Sequence, residues 1–139
     1  MEPLNFLAKV ESETYADPRG VLNVIELPEK LIFECKRIYY ISEVPANSIR
    51  GAHAHKNLRQ IFFAISGSFM LNVTDGKKID RVRISAQTSG YFLPSGYWRE
   101  LTEFDPNTIC VVLASEHFDE SDYIQEMSAY LAWKNQNGS

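Results

Sequence analysis

Turn signals recur at short intervals along most of this chain, and the pieces between them read as strands. Asp17-Pro18-Arg19-Gly20, Pro45-Ala46-Asn47, Ser66-Gly67, Asp75-Gly76, Pro94-Ser95-Gly96 and Asp105-Pro106-Asn107 each combine residues that fix or permit turn backbone. Between them lie Val21 to Glu26, Cys35 to Ile41, Arg50 to His55, Ile61 to Ile65, Ser68 to Thr74, Lys77 to Ser85, Tyr91 to Leu93, Trp98 to Phe104 and Thr108 to Ala114. These pieces are rich in β-branched and aromatic residues and mostly alternate. About eight to ten short strands with regular turns predict an all-β antiparallel barrel or jelly roll. Met1 to Glu13 is expected to add an edge strand. The period then changes: Tyr123, Ile124, Met127, Tyr130 and Leu131 fall at helical spacing, with Asp119 and Ser121 as candidate caps. One C-terminal helix is therefore expected. At 139 residues with 45% hydrophobic content, a single domain over 1–139 can bury a real core.

Within this frame Arg50-Gly51-Ala52-His53-Ala54-His55 stands out. Residues i and i+2 of a strand share a face, so His53 and His55 project side by side. Imidazole titrates near neutrality and can take and return a proton at cellular pH. The plain alternative is a pair of satisfied structural histidines. Arg50 and Arg99 are expected close by, favouring the neutral, base-competent form. Arg19, Arg37, Arg50 and Arg99 each sit in or beside a turn or strand that a barrel brings to one mouth. Their forked guanidinium groups suit a diphosphate. Tyr39, Gln60 and Glu100 complete the expected substrate-binding set. Glu100 adjoins Arg99, and strand neighbours face opposite ways, so the two are poor partners for each other. Tyr39, Tyr91, Tyr97 and Trp98 read first as core or wall, with nucleobase stacking at the mouth or proton relay by a tyrosine inside as open alternatives, and His117 as a surface residue.

The formal net charge of −4 argues against a general nucleic-acid or membrane-surface binder. No basic segment precedes a long apolar run, and no apolar stretch reaches the ~18 residues of a membrane helix. Cys35 and Cys110 form no metal or redox motif and read as reduced thiols near the core. These features predict a cytoplasmic protein.

H-x-H, four residues, Gln60, six residues and Gly67 resemble the first motif of the cupin superfamily, and Gly90 to Arg99 resembles the second. Where metal-binding cupins commonly carry Glu and a third His, this chain has Gln60 and Arg99. A guanidinium has no lone pair for a metal and repels one. The expected pocket is therefore metal-free, with histidines released for acid/base work.

Asp17-Pro18-Arg19-Gly20, Lys36 to Ile41, Arg50 to Lys56, the Gln60 to Gly67 strand, Val111 to Ser115 and Asp119 to Ile124 together resemble the WxcM-like cupin sugar 3,4-ketoisomerases. The resemblance covers nearly the whole chain. It implies a homodimer, often with exchanged N-terminal strands. It also implies a dTDP-linked 4-keto-6-deoxyhexose substrate (dTDP-4-keto-6-deoxyglucose), no cofactor, and a place in deoxyamino-sugar synthesis for surface glycans. His53 and His55 resemble the family's catalytic histidines. Trp98-Arg99-Glu100 departs from the commoner Trp-His-Glu. Three other readings compete: a metal-dependent cupin enzyme, a nucleotide-sugar 3,5-epimerase, and a non-enzymatic small-molecule-binding cupin.

Overall fold

The computed structural model describes residues 3–29 and 33–137. In chain order the strands are β1 Ala8–Val10, β2 Ser12–Asp17, β3 Gly20–Ile25, β4 Arg37–Ile41, β5 Arg50–His55 and β6 Gln60–Ser66. They continue as β7 Ser68–Thr74, β8 Ile79–Ser85, β9 Gly90–Leu93, β10 Trp98–Thr102, β11 Ile109–Ala114 and β12 Tyr123–Ile124. Helix α1, Met127–Asn137, follows.

Two five-stranded antiparallel sheets face each other, ordered β1-β9-β6-β11-β4 and β12-β5-β10-β7-β8. Strands β2 and β3 pair only with each other. This is the antiparallel jelly roll expected from the turn spacing, and of the cupin type that the two motifs imply. The hairpin β7–β8 forms because Asp75 Oδ1 accepts from the backbone N–H of Lys77 and of Lys78, both at 2.9 Å. Phe62, Phe69, Leu71, Leu93, Leu101, Cys110 and Val112 fill the space between the sheets. Val10, Phe33, Ile61 and Phe92 make a second cluster. The buried Asp80 carboxylate clamps the N-terminal segment, accepting from the backbone of Asn5, Phe6 and Leu7 at 2.7, 2.7 and 2.8 Å.

Helix α1 packs on the other face of the second sheet. Tyr130 is fully buried against Trp98, Ala54 and Ile124, and its hydroxyl donates to the Gly96 carbonyl at 2.9 Å. The helix begins later than its apolar spacing suggests. Tyr123 and Ile124 belong to β12, which pairs with His55 and Ala54. A 3-10 turn at Glu120–Asp122 precedes it, capped by Asp119, whose carboxylate accepts from Ser121 N at 3.0 Å. Strand pairing outcompeted helical period here, because a two-residue strand against β5 buries Ile124. Cys35 also departs from expectation: both thiols are unpaired, but Cys35 is exposed and only Cys110 is buried.

Candidate active site

Register decides what faces the barrel. On the second sheet, His53 lies opposite Arg99 and His55 opposite Tyr123, so all four share the inner face. On the first sheet, Ala114 lies between Arg37 and Gln60, and Val112 between Tyr39 and Phe62. Arg37, Tyr39 and Gln60 thus face inward from the other side. Alternation along β4 produces this: Arg37, Tyr39 and Ile41 are half-buried, while Ile38 and Tyr40 are exposed.

Arg99 is the centre of the arrangement and is 3% exposed. Its Nη1 donates to the Gly51 carbonyl at 2.7 Å, Nε to Gln60 Oε1 at 3.3 Å, and Nη2 to the Tyr39 hydroxyl at 3.3 Å. Its guanidinium carbon sits 5.6 Å from the Phe62 ring centroid. Every one of these partners is neutral. Burial lowers the Arg99 pKa, yet a guanidinium keeps its proton in proteins. The barrel therefore holds a positive charge hydrogen-bonded only to neutral groups. Gly51 is what lets the guanidinium reach this place. Its φ is +65°, and a Cβ there would lie 2.1 Å from Arg99 Nη1. Gln60 links the cluster further, donating from Nε2 to the Tyr39 hydroxyl at 2.7 Å. Tyr39 Oη thus receives two donors and must aim its own proton elsewhere. Burial raises the Tyr39 pKa, so it is a phenol.

The two imidazoles meet at 2.9 Å, Nε2 to Nε2. Tyr123 packs on both rings, at 4.8 Å from His53 and 4.3 Å from His55 between centroids. Burial first, and then the Arg99 charge, lower the pKa of His53 to about 3 and of His55 to about 2. Both rings are neutral at cellular pH. A cavity of about 390 Å³ opens beside His55, lined among others by Lys36, Arg37, Asn57, His117 and Tyr123. Arg37 Nε is buried and unpartnered there. Among the described residues, no group of three or more His, Cys, Asp or Glu side chains converges as a metal site.

Three of the expected site residues lie elsewhere. Arg19 sits at the tip of the β2–β3 hairpin, 90% exposed and paired with Asp17 at 2.7 Å. Arg50 is exposed at the start of β5. Glu100 points to the opposite face of β10 and accepts from Trp98 Nε1 at 3.0 Å. Strand alternation removes Glu100, and the hairpin's separate pairing removes Arg19 from its own chain's barrel. Of the four arginines, only Arg37 and Arg99 approach the histidines. His117 is exposed, as expected, but lies on the cavity rim. Asp122 and Tyr123 were missed as site residues. Their signal was present in Asp119-Glu120-Ser121-Asp122-Tyr123-Ile124, but helical spacing drew Tyr123 into the wrong element.

Facing sheets with paired neutral imidazoles and a buried cation between them define a cupin-type barrel with a positively charged interior. Residues 7–135 match the FdtA family, described as WxcM-like, C-terminal, and the chain belongs to that family. It is 34% identical over 110 residues, 79% of each chain, to a TDP-4-oxo-6-deoxy-alpha-D-glucose-3,4-oxoisomerase from Aneurinibacillus thermoaerophilus. Its structure resembles QdtA, a sugar 3,4-ketoisomerase from Thermoanaerobacterium thermosaccharolyticum solved with TDP. The TM-score is 0.88 at 29% identity, covering 99% of this chain and 100% of that one. A TDP-quinovose 3,4-ketoisomerase from Campylobacter jejuni matches at TM-score 0.81 and 33% identity, over 91% and 97% of the two chains.

Proposed function

We infer that the chain is a sugar 3,4-ketoisomerase that converts dTDP-4-keto-6-deoxyglucose to a dTDP-3-keto-6-deoxyhexose for deoxyamino-sugar synthesis. The observation that carries the reading is the neutral histidine pair set opposite a buried arginine whose only partners are neutral. A 4-ketone acidifies the hydrogen on C3. His53 removes it as a base, giving an enediolate. Arg99 and the Tyr39 hydroxyl, whose own proton is uncommitted, stabilise the oxygen charge as it develops. His53 returns the proton to C4, and the hydroxyl proton passes from O3 to O4, a transfer suited to Tyr39. The hydrogen moves within one molecule, so no external oxidant or reductant takes part. Arg37, with its unpartnered Nε, and Lys36 line the adjoining cavity and suit the diphosphate.

The protein is further proposed to act as a cytoplasmic homodimer. Unpaired thiols at Cys35 and Cys110 fit a reducing compartment. The β2–β3 hairpin pairs with neither main sheet and exposes Tyr15, Val21 and Leu22. Exchange of this arm would bury those side chains and could bring Arg19 to the partner's barrel. The activity test is incubation of purified protein with dTDP-4-keto-6-deoxyglucose, the product being trapped by an aminotransferase. An amine appearing at C3 supports the reading. An amine formed only at C4 counts against it.

A further inference from the structure

His55 has one ring nitrogen against His53 and the other against a carboxylate. Its Nδ1 is buried, ends in no hydrogen bond, and lies 3.6 Å from Asp122 Oδ2. Asp122 is itself held in place. Oδ1 accepts from Asn57 N at 2.8 Å, Oδ2 from Leu58 N at 3.2 Å, and the Asp122 carbonyl from Lys56 N at 3.0 Å. The carboxylate is 8% exposed and faces the imidazole from the turn that leads into β12.

We propose that Asp122 is a positioning residue that fixes the tautomers of the histidine pair, leaving Nδ1 of His53 as the atom that takes the C3 proton. A neutral imidazole carries one N–H. The two Nε2 atoms at 2.9 Å must share a single proton between them. If His55 donated it, His55 Nδ1, a buried atom, would present a bare lone pair to the Asp122 carboxylate, acceptor against acceptor. If His53 donates it, His55 carries its proton on Nδ1, aimed at Asp122, and every site is matched. Which nitrogen holds the proton is set by what the other nitrogen meets. Asp122 therefore decides the order, and the lone pair that remains is on His53 Nδ1.

The last link, the origin of the proton, depends on the ketoisomerase reading; the tautomer order does not. In that reaction the C3–H bond breaks and the proton joins His53 Nδ1. The Nε2 proton of His53 can then shift to His55 Nε2, moving the positive charge beside Asp122. The reverse shift precedes delivery of the Nδ1 proton to C4. No proton is gained or lost over the cycle.

The chain has three histidines, which makes the test tractable by long-range proton–nitrogen NMR on histidine-labelled protein at neutral pH. The expected spectrum shows His55 as the Nδ1–H tautomer and His53 as the Nε2–H tautomer. Finding His55 as the Nε2–H tautomer overturns the proposal, whatever the activity. Asp122→Asn replaces an acceptor with an amide that can donate to His55 Nδ1. It should reverse both tautomers and lower kcat by about 10- to 100-fold, the usual cost of losing a group that orients a functional histidine, with KM little changed. A folded Asp122→Asn protein with wild-type tautomers overturns the proposal even if its activity falls, because that loss is merely structural. Should this variant not fold, the wild-type spectrum decides alone. The expected tautomers in a protein that leaves dTDP-4-keto-6-deoxyglucose untouched would uphold the positioning role and refute the ketoisomerase reading.

Discussion

At the scale of single residues, His53, His55 and Arg99 form one electrostatic unit. Burial and the Arg99 charge hold the His53 pKa at about 3 and the His55 pKa at about 2, against about 6.5 in an unfolded chain. As pH falls below about 6.5 the unfolded chain takes up protons that the folded one refuses, so stability is lost progressively toward pH 3. Each histidine contributes at most about 1.4 kcal/mol per pH unit in that window. Urea unfolding at pH 7 and pH 5 should show a drop in stability that shrinks in the His53→Asn, His55→Asn double variant. An identical drop in that variant would contradict the assignment. Arg99 should also act on the product. In the proposed mechanism its guanidinium meets the enediolate oxygen, so Arg99→His, which keeps a nitrogen donor on the same face of β10, should retain some activity. It should change the ratio of galacto to gluco product read by NMR. An unchanged ratio with unchanged kinetics would make Arg99 structural only.

At the scale of elements, the strands and their faces were legible where alternation was strict. Strand β4 alternates cleanly, and its inward set of Arg37, Tyr39 and Ile41 is the one its sequence specifies. Residues Tyr123 and Ile124 were not legible, because two residues carry too little pattern to overrule a helical spacing with Met127 and Tyr130 behind it. Arg19 and Arg50 lie outside this chain's own barrel for a related reason: sequence shows that a residue lies near a turn but not which end of the barrel the turn occupies. The departure at Arg99 was visible, but its partner Gly51 was not, since that glycine is explained only by the guanidinium against it. This pairing predicts a coupled effect. Gly51→Ala should displace the Arg99 fork and lower kcat/KM by ~100-fold or more, of the order of one lost transition-state donor. In an Arg99→Ala background the same change should cost far less, leaving only the strain of a positive φ. Additive losses across the four proteins would show that Gly51 acts independently of Arg99.

At the scale of the whole molecule, the two facing sheets supply the frame, and the β2–β3 hairpin stands outside both of them. The hairpin exposes apolar side chains and pairs with no main-sheet strand, which fits an arm that covers a second copy. Light scattering at micromolar concentration should give twice the chain's mass of 15.9 kDa, and a monomer would contradict the exchanged-arm reading. The central claim is that His53 moves a proton from C3 to C4 of a dTDP-linked 4-keto sugar. Its most direct test is NMR of dTDP-4-keto-6-deoxyglucose incubated in deuterated water with the wild-type protein and with His53→Asn. The wild-type protein should shift the ketone from C4 to C3, with deuterium appearing at C4 to the extent that the base exchanges with solvent. The variant should slow that shift by at least ~100-fold, the usual contribution of a general base. A ketone that stays at C4 while deuterium enters at C3 or C5 would mark an epimerase. Equal rates in the two proteins would remove His53 from the chemistry.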